Sequence, residues 1–133
     1  MIIKVKLDLK KAESLVKMAE SRIKSVSLLD ARQFSTIVAE MYYEIIKEFS
    51  SALILIDGFK SVGENSHRDL FDFLSTYKLF SEDEIIFIHD LRVKRNRSSY
   101  EGRDIEYSYL KLKQNKINKI IKDLKEIINN KLK

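Results

Sequence analysis

The sequence predicts an all-α protein, an up-and-down bundle of five helices, and three observations support this prediction. The 133 residues include no proline and only three glycines, so few positions interrupt a helix. Apolar residues recur every three to four positions over long segments, which is the period of an amphipathic helix. The chain has the length of one domain, and 44% of its residues are hydrophobic. We therefore expect one core built from residues 1–133.

The N-terminal segment departs from the helical period. Ile3, Val5, Leu7 and Leu9 alternate with polar residues, as they do in a strand. No second strand-like segment is evident further along the chain. We therefore expect residues 1–7 to form an extended arm or the frayed start of a helix.

The first two helices are predicted from their apolar stripes and their ends. The first covers about Asp8 to Val26. Asp30 is a typical N-cap for a long second helix, which ends at Asp57-Gly58, because glycine readily adopts the left-handed conformation of a helix end. The two stripes consist of Ala12, Leu15, Val16, Ala19, Ile23 and Val26, and of Phe34, Val38, Met41, Tyr42, Ile45, Phe49, Ala52 and Ile56.

The three remaining helices have clearer starting points. A short third helix opens at Ser66 or His67. Ser81 and Glu84 are spaced as a capping box, so the fourth helix begins at Glu82 and breaks near Gly102. The staple pair around this box is Phe80 with Ile85. The fifth helix runs from about Asp104 to Asn130, and its apolar face carries Leu110, Ile117, Ile121, Leu124 and Ile128. Its lysines are expected to form a solvated face.

Composition excludes several classes of function. The chain has no cysteine, which excludes disulfides, thiol catalysis and cysteine-ligated metals. His67 and His89 are too few and too far apart for a histidine-built metal centre, so we predict no metal and no cofactor. No apolar run approaches the length of a membrane span, and no signal peptide is evident, so we expect a cytoplasmic protein without a membrane partner. The net charge of +5 is compatible with a polyanion such as RNA.

The segment from Asp90 to Gly102 is the most unusual part of the sequence. Arg92, Arg95, Asn96 and Ser99 follow the i, i+3, i+4, i+7 spacing and therefore share one helix face. Planar guanidinium groups suit bidentate binding of phosphate. Cations near a helix C-terminus also complement the helix dipole, and Asp90 is placed to pair with Lys94, so a purely structural explanation stays open.

This segment resembles the signature of the HEPN domain family, in which an Arg-Asn pair is followed a few residues later by histidine. The residues that carry the resemblance are Arg95-Asn96-Arg97-Ser98-Ser99-Tyr100-Glu101-Gly102. Further similar features are Tyr42-Tyr43-Glu44 in a long second helix, the loop holding Gly58, Ser66-His67 opening a short helix, and the amphipathic last helix. Arg95 matches the motif arginine and Asn96 the polar residue after it, while Tyr100 occupies the position of the histidine.

The resemblance implies a dimeric helical bundle in which the motif-bearing helices of two protomers meet. Many family members are metal-independent ribonucleases, often toxins neutralised by a small nucleotidyltransferase of the MNT type. Other members bind RNA or nucleotides without catalysis. For this chain, the resemblance therefore implies a homodimer, an RNA or nucleotide ligand, and an MNT-type nucleotidyltransferase as protein partner.

Tyr100 at the histidine position argues against catalysis. The ordinary pKa of histidine, about 6.5, allows proton transfer at neutral pH, whereas that of tyrosine is about 10. Tyr100 is expected either to stack or donate a hydrogen bond at the site, or to pack its ring on the core with its hydroxyl in water. His67 is expected to act structurally at its helix start, and His89 to be a hydrogen-bonded core or interface histidine.

Three functional hypotheses follow. The first is a HEPN-like dimeric protein that binds RNA or a nucleotide through Arg92, Arg95, Asn96, Ser99 and Tyr100. The second is an active, metal-independent endoribonuclease toxin in which Arg95 and Tyr100 are catalytic. The third is a helical interaction module with no nucleic-acid role, whose basic cluster affects only solubility and assembly.

Overall fold

The computed structural model describes residues 1–133 as a bundle of five helices with one short two-stranded ribbon. The elements, in chain order, are β1 (Ile2–Lys4), α1 (Leu9–Val26), α2 (Ser35–Ile56), β2 (Phe59–Ser61), α3 (Ser66–Phe73), a 3₁₀ turn (Leu74–Thr76), α4 (Glu82–Glu101) and α5 (Tyr107–Leu132). The expected all-α architecture is thus confirmed in its main features. None of the helices has an apolar stretch sufficient to cross a bilayer.

Helix α2 lies at the centre of the bundle and packs against α1, α5, α4 and α3. Its side chains are buried on more than one face, as expected of a helix surrounded by others. Tyr43, Phe49 and Leu53 are fully buried, and so are Ile45 and Ala52. The predicted stripe covers only part of this core, since it omits Tyr43 and Leu53. It also places Phe34 inside, whereas the Phe34 ring is exposed.

The N-terminal segment is a strand, and the expectation that no second strand follows is wrong. β1 pairs with β2 in antiparallel register, with Ile3 opposite Lys60. The pairing is continued by a hydrogen bond from the Val5 amide to the Gly58 carbonyl (2.9 Å). The N-terminal amine also bonds to the carboxylate of Asp69 in α3. A partner strand of three residues is too short to show a period of two in the sequence, so its pairing could not be predicted.

Two predicted helix starts move towards the C-terminus. α2 begins at Ser35, because the Asp30 carboxylate accepts a hydrogen bond from the Arg32 amide (2.9 Å) and forms a turn that precedes the helix. α5 begins at Tyr107, because the segment before it is extended. There the amide of Ile105 donates to the hydroxyl of Thr36 on α2 (2.9 Å). This bond fixes the α4–α5 connection against α2.

The boundaries of α4 agree with the sequence prediction. Ser81 and Glu84 form the capping box in both directions, with N···O distances of 3.0 and 3.1 Å. The helix ends at Gly102, whose φ of +68° lies in the left-handed region that favours glycine. These two caps fix the ends of α4, and they therefore place the basic segment in the C-terminal half of the helix.

Candidate functional site

A polar cleft of about 300 Å³ separates the first turn of α3 from the C-terminal half of α4. We call it the arginine cleft, because three guanidinium groups line it and only one carboxylate does. The lining residues are Glu64, Asn65, Ser66, His67, Arg68, Arg92, Arg95, Asn96 and Tyr100. A concave surface with this excess of positive charge favours an anionic ligand.

Four of the five predicted site residues lie together in this cleft. Arg92, Arg95, Asn96 and Tyr100 all line it. Ser99 does not, and its inclusion in the site is corrected: its hydroxyl donates to the Glu40 carboxylate on α2 (3.1 Å). Ser99, seven residues after Arg92, therefore faces α2 and not the cleft.

Arg95 is positioned by side chains of α2. Its guanidinium donates to the Glu44 carboxylate (3.2 Å) and lies over the ring of Tyr43, 5.1 Å from the centroid. A second bond joins it to the side-chain oxygen of Asn96 (3.3 Å). The side chain is about one-fifth exposed, so its orientation is largely fixed before any ligand binds. Such preorganisation reduces the entropy cost of binding.

The histidine of the cleft is His67, which the sequence assigned a structural role. Its Nδ1 lies 2.9 Å from the buried hydroxyl of Tyr43. Burial lowers the pKa of His67 from the ordinary value of 6.5, and the positive charges of Lys47 and Arg95 lower it further. The pKa of Tyr43 is raised by burial, so its phenol stays protonated. A neutral imidazole thus lies beside Arg95 at neutral pH.

The N-terminal turn of α3 adds two further features to the cleft. Arg68 brings a third guanidinium, and its side chain is half exposed. The backbone N–H groups of His67 and Arg68, in the first turn of α3, have no acceptor in the protein. Unpaired N–H groups at the positive end of a helix dipole stabilise a nearby anion. Two elements distant in sequence therefore contribute positive charge to one cleft.

His67 and Arg68 are the site residues that sequence reasoning missed. They precede Arg92 by more than twenty residues, and only the packing of α3 against α4 brings them together. The available signal was Arg68 within the first turn of a helix, where the helix dipole disfavours a cation.

His89 does not share this cleft. Its Nε2 lies 2.7 Å from the carboxylate of Asp72, and its Nδ1 accepts a weak bond from Arg92 (3.4 Å). His89 is therefore hydrogen-bonded within the chain, as expected, but it is only partly buried and is not a core histidine. The pairing of Asp90 with Lys94 does not form. Asp90 accepts from the hydroxyl of Tyr109 instead (2.7 Å), and the Lys94 ammonium lies over the same ring.

The outer face of α4 carries exposed apolar side chains. Ile86, Val93 and Tyr100 are spaced seven residues apart and are 60%, 36% and 80% exposed. At 3.6 residues per turn they form one stripe along the helix. The exposure of Tyr100 excludes the alternative in which its ring packs on the core. Tyr100 lies where the stripe meets the arginine cleft.

The groups that line the cleft are mainly hydrogen-bond donors and cations. No group of three or more acidic or histidine side chains is arranged to hold a metal ion. Comparisons with protein-family models, curated proteins and solved structures give no match to this chain.

Proposed function

We propose that this chain is a HEPN-like protein that binds phosphate groups of RNA or of a nucleotide in the arginine cleft. The observation that carries the proposal is the convergence of Arg68, Arg92 and Arg95 on one concave surface, with the free N–H groups of α3 at its other wall. Guanidinium groups bind phosphate through paired hydrogen bonds. The exposed ring of Tyr100 at the edge of the cleft is available to stack on a base.

The residues have separate roles in this proposal. Arg95, held by Glu44 and Tyr43, is the preset phosphate ligand. Arg92 makes only a weak bond to His89 and is free to turn towards the ligand. Asn96 supplies amide hydrogen bonds.

The test compares two arginines of the same helix. Arg92→Ala removes a guanidinium from the cleft, whereas Arg97→Ala removes an exposed one that does not line it. With a fluorescently labelled single-stranded RNA, Arg92→Ala is expected to weaken binding about tenfold. It should also reduce the slope of log affinity against log salt by about 0.7. Arg97→Ala should change both much less.

Three outcomes would count against the proposal. Equal effects of the two substitutions would show that binding depends on general charge and not on the cleft. Failure of both RNA and nucleotides to bind would show that the proposed class of ligand is wrong. Interactions of the chain that are insensitive to salt would favour a helical interaction module without a nucleic-acid role.

We also propose that the protein is a homodimer in the cytoplasm that pairs through the stripe of α4. In an antiparallel pair centred on Val93, Ile86 of one protomer would face Tyr100 of the other. In this pair Asp83, whose carboxylate also bonds to Lys116 of its own chain, would approach Arg103, which follows the C-terminal end of α4. This complementarity supports a second copy as the partner. An MNT-type nucleotidyltransferase as a further partner rests on the sequence resemblance.

Light scattering tests the dimer. Val93→Glu places a charge at the centre of the stripe and is expected to give a folded monomer. Leu112→Glu is the matched control, because Leu112 is an exposed leucine on α5, outside the stripe. A monomeric wild-type protein, or a dimer unaffected by Val93→Glu, would contradict this part of the proposal.

A second candidate function is metal-independent RNA cleavage, and the observation that favours it is His67 in the cleft. In the tautomer whose Nδ1–H donates to the Tyr43 oxygen, the Nε2 lone pair of the neutral imidazole can accept the proton of a ribose 2′-hydroxyl as its oxygen attacks the adjacent phosphorus. The 5′-oxygen then leaves, takes a proton from water, and a 2′,3′-cyclic phosphate remains. The assay is RNA cleavage in the presence of chelator. Intact RNA under conditions where it binds would exclude this candidate.

A further inference from the structure

A second pocket of about 280 Å³ adjoins the arginine cleft, and the proposed function makes no use of it. It lies among α1, α2, β2 and α3. Its apolar lining consists of Leu15, Ile54, Leu55, Phe59 and Leu70. We call this cavity the adjoining pocket.

The two cavities share part of their walls. Ser66 and His67 line both the adjoining pocket and the arginine cleft. The imidazole of His67 therefore stands between a mostly polar, cationic space and a partly apolar one. A single ligand that passes this side chain would place an apolar group on one side and an anionic group on the other.

The lining of the adjoining pocket indicates which apolar group it would accept. Its aromatic rings are those of Phe59 and His67, and both can contact the face of a flat ring. The Ser51 hydroxyl supplies a polar contact in the same wall, and the Ser61 hydroxyl, which donates to the Ser66 carbonyl (2.5 Å), can accept from a ligand. Such a mixture of apolar surface, ring faces and hydroxyls is typical of sites for small aromatic ligands.

The charge around the adjoining pocket favours an anionic ligand over a neutral one. Lys11, Lys47 and Lys60 line it, and no carboxylate does. Lys47 is paired with Glu44 (2.6 Å), whereas no hydrogen bond or ion pair occupies the ammonium groups of Lys11 and Lys60. On the other side of the neutral His67 imidazole lie the guanidinium groups of the cleft, so both cavities carry an excess of positive charge. A ligand with both a flat ring and a phosphate satisfies both cavities.

We propose that the adjoining pocket holds the base of a nucleoside 5′-phosphate whose phosphate occupies the arginine cleft. The inference rests on the proposed function and specifies its ligand. A terminal phosphate carries more negative charge than an internal phosphodiester and suits a cleft with three guanidinium groups. The same chemistry is present in a free mononucleotide and in the 5′-phosphorylated end of an RNA.

The first experiment compares ligands of equal charge by isothermal titration calorimetry. AMP and UMP are expected to bind at least tenfold more tightly than ribose 5-phosphate, because stacking of a base on an aromatic side chain corresponds to roughly 5- to 150-fold in affinity. Equal affinities of the nucleotides and ribose 5-phosphate would overturn the inference. This comparison requires no variant and therefore does not depend on the folding of one.

A variant that fills the adjoining pocket provides the second experiment. Ser51→Phe adds a ring at the wall of the pocket, and Ser14→Phe adds the same ring on exposed α1, outside it. Ser51→Phe should reduce AMP affinity to that of ribose 5-phosphate and leave binding of ribose 5-phosphate unchanged. Unchanged AMP affinity in a folded Ser51→Phe protein would overturn the inference.

Two RNAs distinguish whether the bound phosphate belongs to a free nucleotide or to the 5′ end of an RNA. A 5′-phosphorylated hexamer that binds much more tightly than both its 5′-hydroxyl form and AMP would identify an RNA end. AMP that binds as tightly as the phosphorylated hexamer would identify a free nucleotide. If RNA binding depends on Arg92 but neither the base nor the 5′-phosphate contributes, the proposed function stands and this inference fails. If no ligand binds, both fail.

Discussion

Replacing Glu44 should change protein stability and ligand affinity in opposite directions. The Glu44 carboxylate bonds to the Arg95 guanidinium (3.2 Å) and to the Lys47 ammonium (2.6 Å), and it is one-fifth exposed. Burial alone would raise its pKa. The hydrogen bond and charge of Lys47 and the charge of Arg95 outweigh burial and lower the pKa below the ordinary 4.5. Glu44 is therefore ionised whenever the protein would bind phosphate.

The magnitudes follow from these positions. Glu44→Gln leaves two half-buried cations without a counter-charge and should cost about 1–2 kcal/mol of unfolding free energy, between the values of surface and buried ion pairs. A phosphate on the cleft side of Arg95 would lie about 7 Å from the Glu44 carboxylate, where two unit charges repel by about 2 kcal/mol at an effective dielectric constant of about 20. Salt screening leaves about 1 kcal/mol, or about fivefold tighter binding by the variant.

The pH dependence of the unfolding free energy checks the sign of the contribution that the Glu44 carboxylate makes to stability. A carboxylate with a lowered folded-state pKa stabilises the protein above its unfolded pKa, and this contribution is lost as the pH falls through the folded-state pKa. The unfolding free energies of the wild type and Glu44→Gln should therefore differ at pH 7 and converge as the pH falls below the lowered folded-state pKa of Glu44.

The assays are urea unfolding and fluorescence anisotropy with a labelled RNA. Glu48→Gln is the matched control, because Glu48 lies one turn along α2, and its carboxylate pairs with Arg22 (2.6 Å). It should lose stability without a change in RNA affinity. The introduced glutamine keeps an oxygen that can accept from the Arg95 guanidinium, so Arg95 stays oriented. A folded Glu44→Gln protein with unchanged or weaker RNA binding would therefore refute the placement of the phosphate beside Arg95.

Three further predictions concern single side chains. Because the pKa of His67 is lowered in the folded protein, the unfolded chain binds a proton more readily, and the unfolding free energy should rise with pH from the folded-state pKa up to about 6.5. His67→Gln should remove this part of the pH dependence. A variant whose urea-unfolding profile between pH 5 and 8 equals that of the wild type would contradict the prediction. Ser81→Ala removes the cap of α4 and should cost about 1 kcal/mol, or about 3–5 °C in a thermal melt; an unchanged melting temperature would show that the capping box adds nothing. Gly102→Ala meets no steric neighbour but forces a left-handed alanine, so about 1–2 kcal/mol should be lost in urea unfolding.

The fold could be predicted where local chemistry decides it. The capping box at Ser81 and the left-handed glycine at Gly102 depend on residues within a few positions, and both boundaries of α4 agree with the structure. The start of α5 could not be predicted, because the bond between Thr36 and Ile105 joins segments about seventy residues apart. The pairing of β1 with β2 is likewise non-local. The start of α2 was misplaced for a local reason, since Asp30 caps a turn that precedes the helix and does not cap the helix itself.

The candidate site likewise contains residues that local spacing predicts and residues whose positions depend on contacts with other helices. Arg92, Arg95 and Asn96 share a helix face and could be grouped from their spacing alone. Ser99 fits the same spacing, but Glu40 on α2 attracts its hydroxyl, and the carboxylate of another helix is invisible to a helical-wheel argument. His67 could not be assigned, because its role depends on a hydrogen bond to Tyr43 and on the packing of α3 against α4.

The geometry of α4 explains how binding and assembly can be separated experimentally. At about 100° per residue, Val93 lies within about 20° of Ile86 on the outer stripe, whereas Arg92 points about 100° away from Val93, towards the cleft. Substitutions at these two positions therefore act on different surfaces, although they are adjacent in sequence. Tyr100 belongs to both surfaces, since it ends the stripe and lines the cleft. A change at Tyr100 alone cannot distinguish loss of a ligand contact from loss of a dimer contact, so the functional assignment depends on Arg92 and Val93.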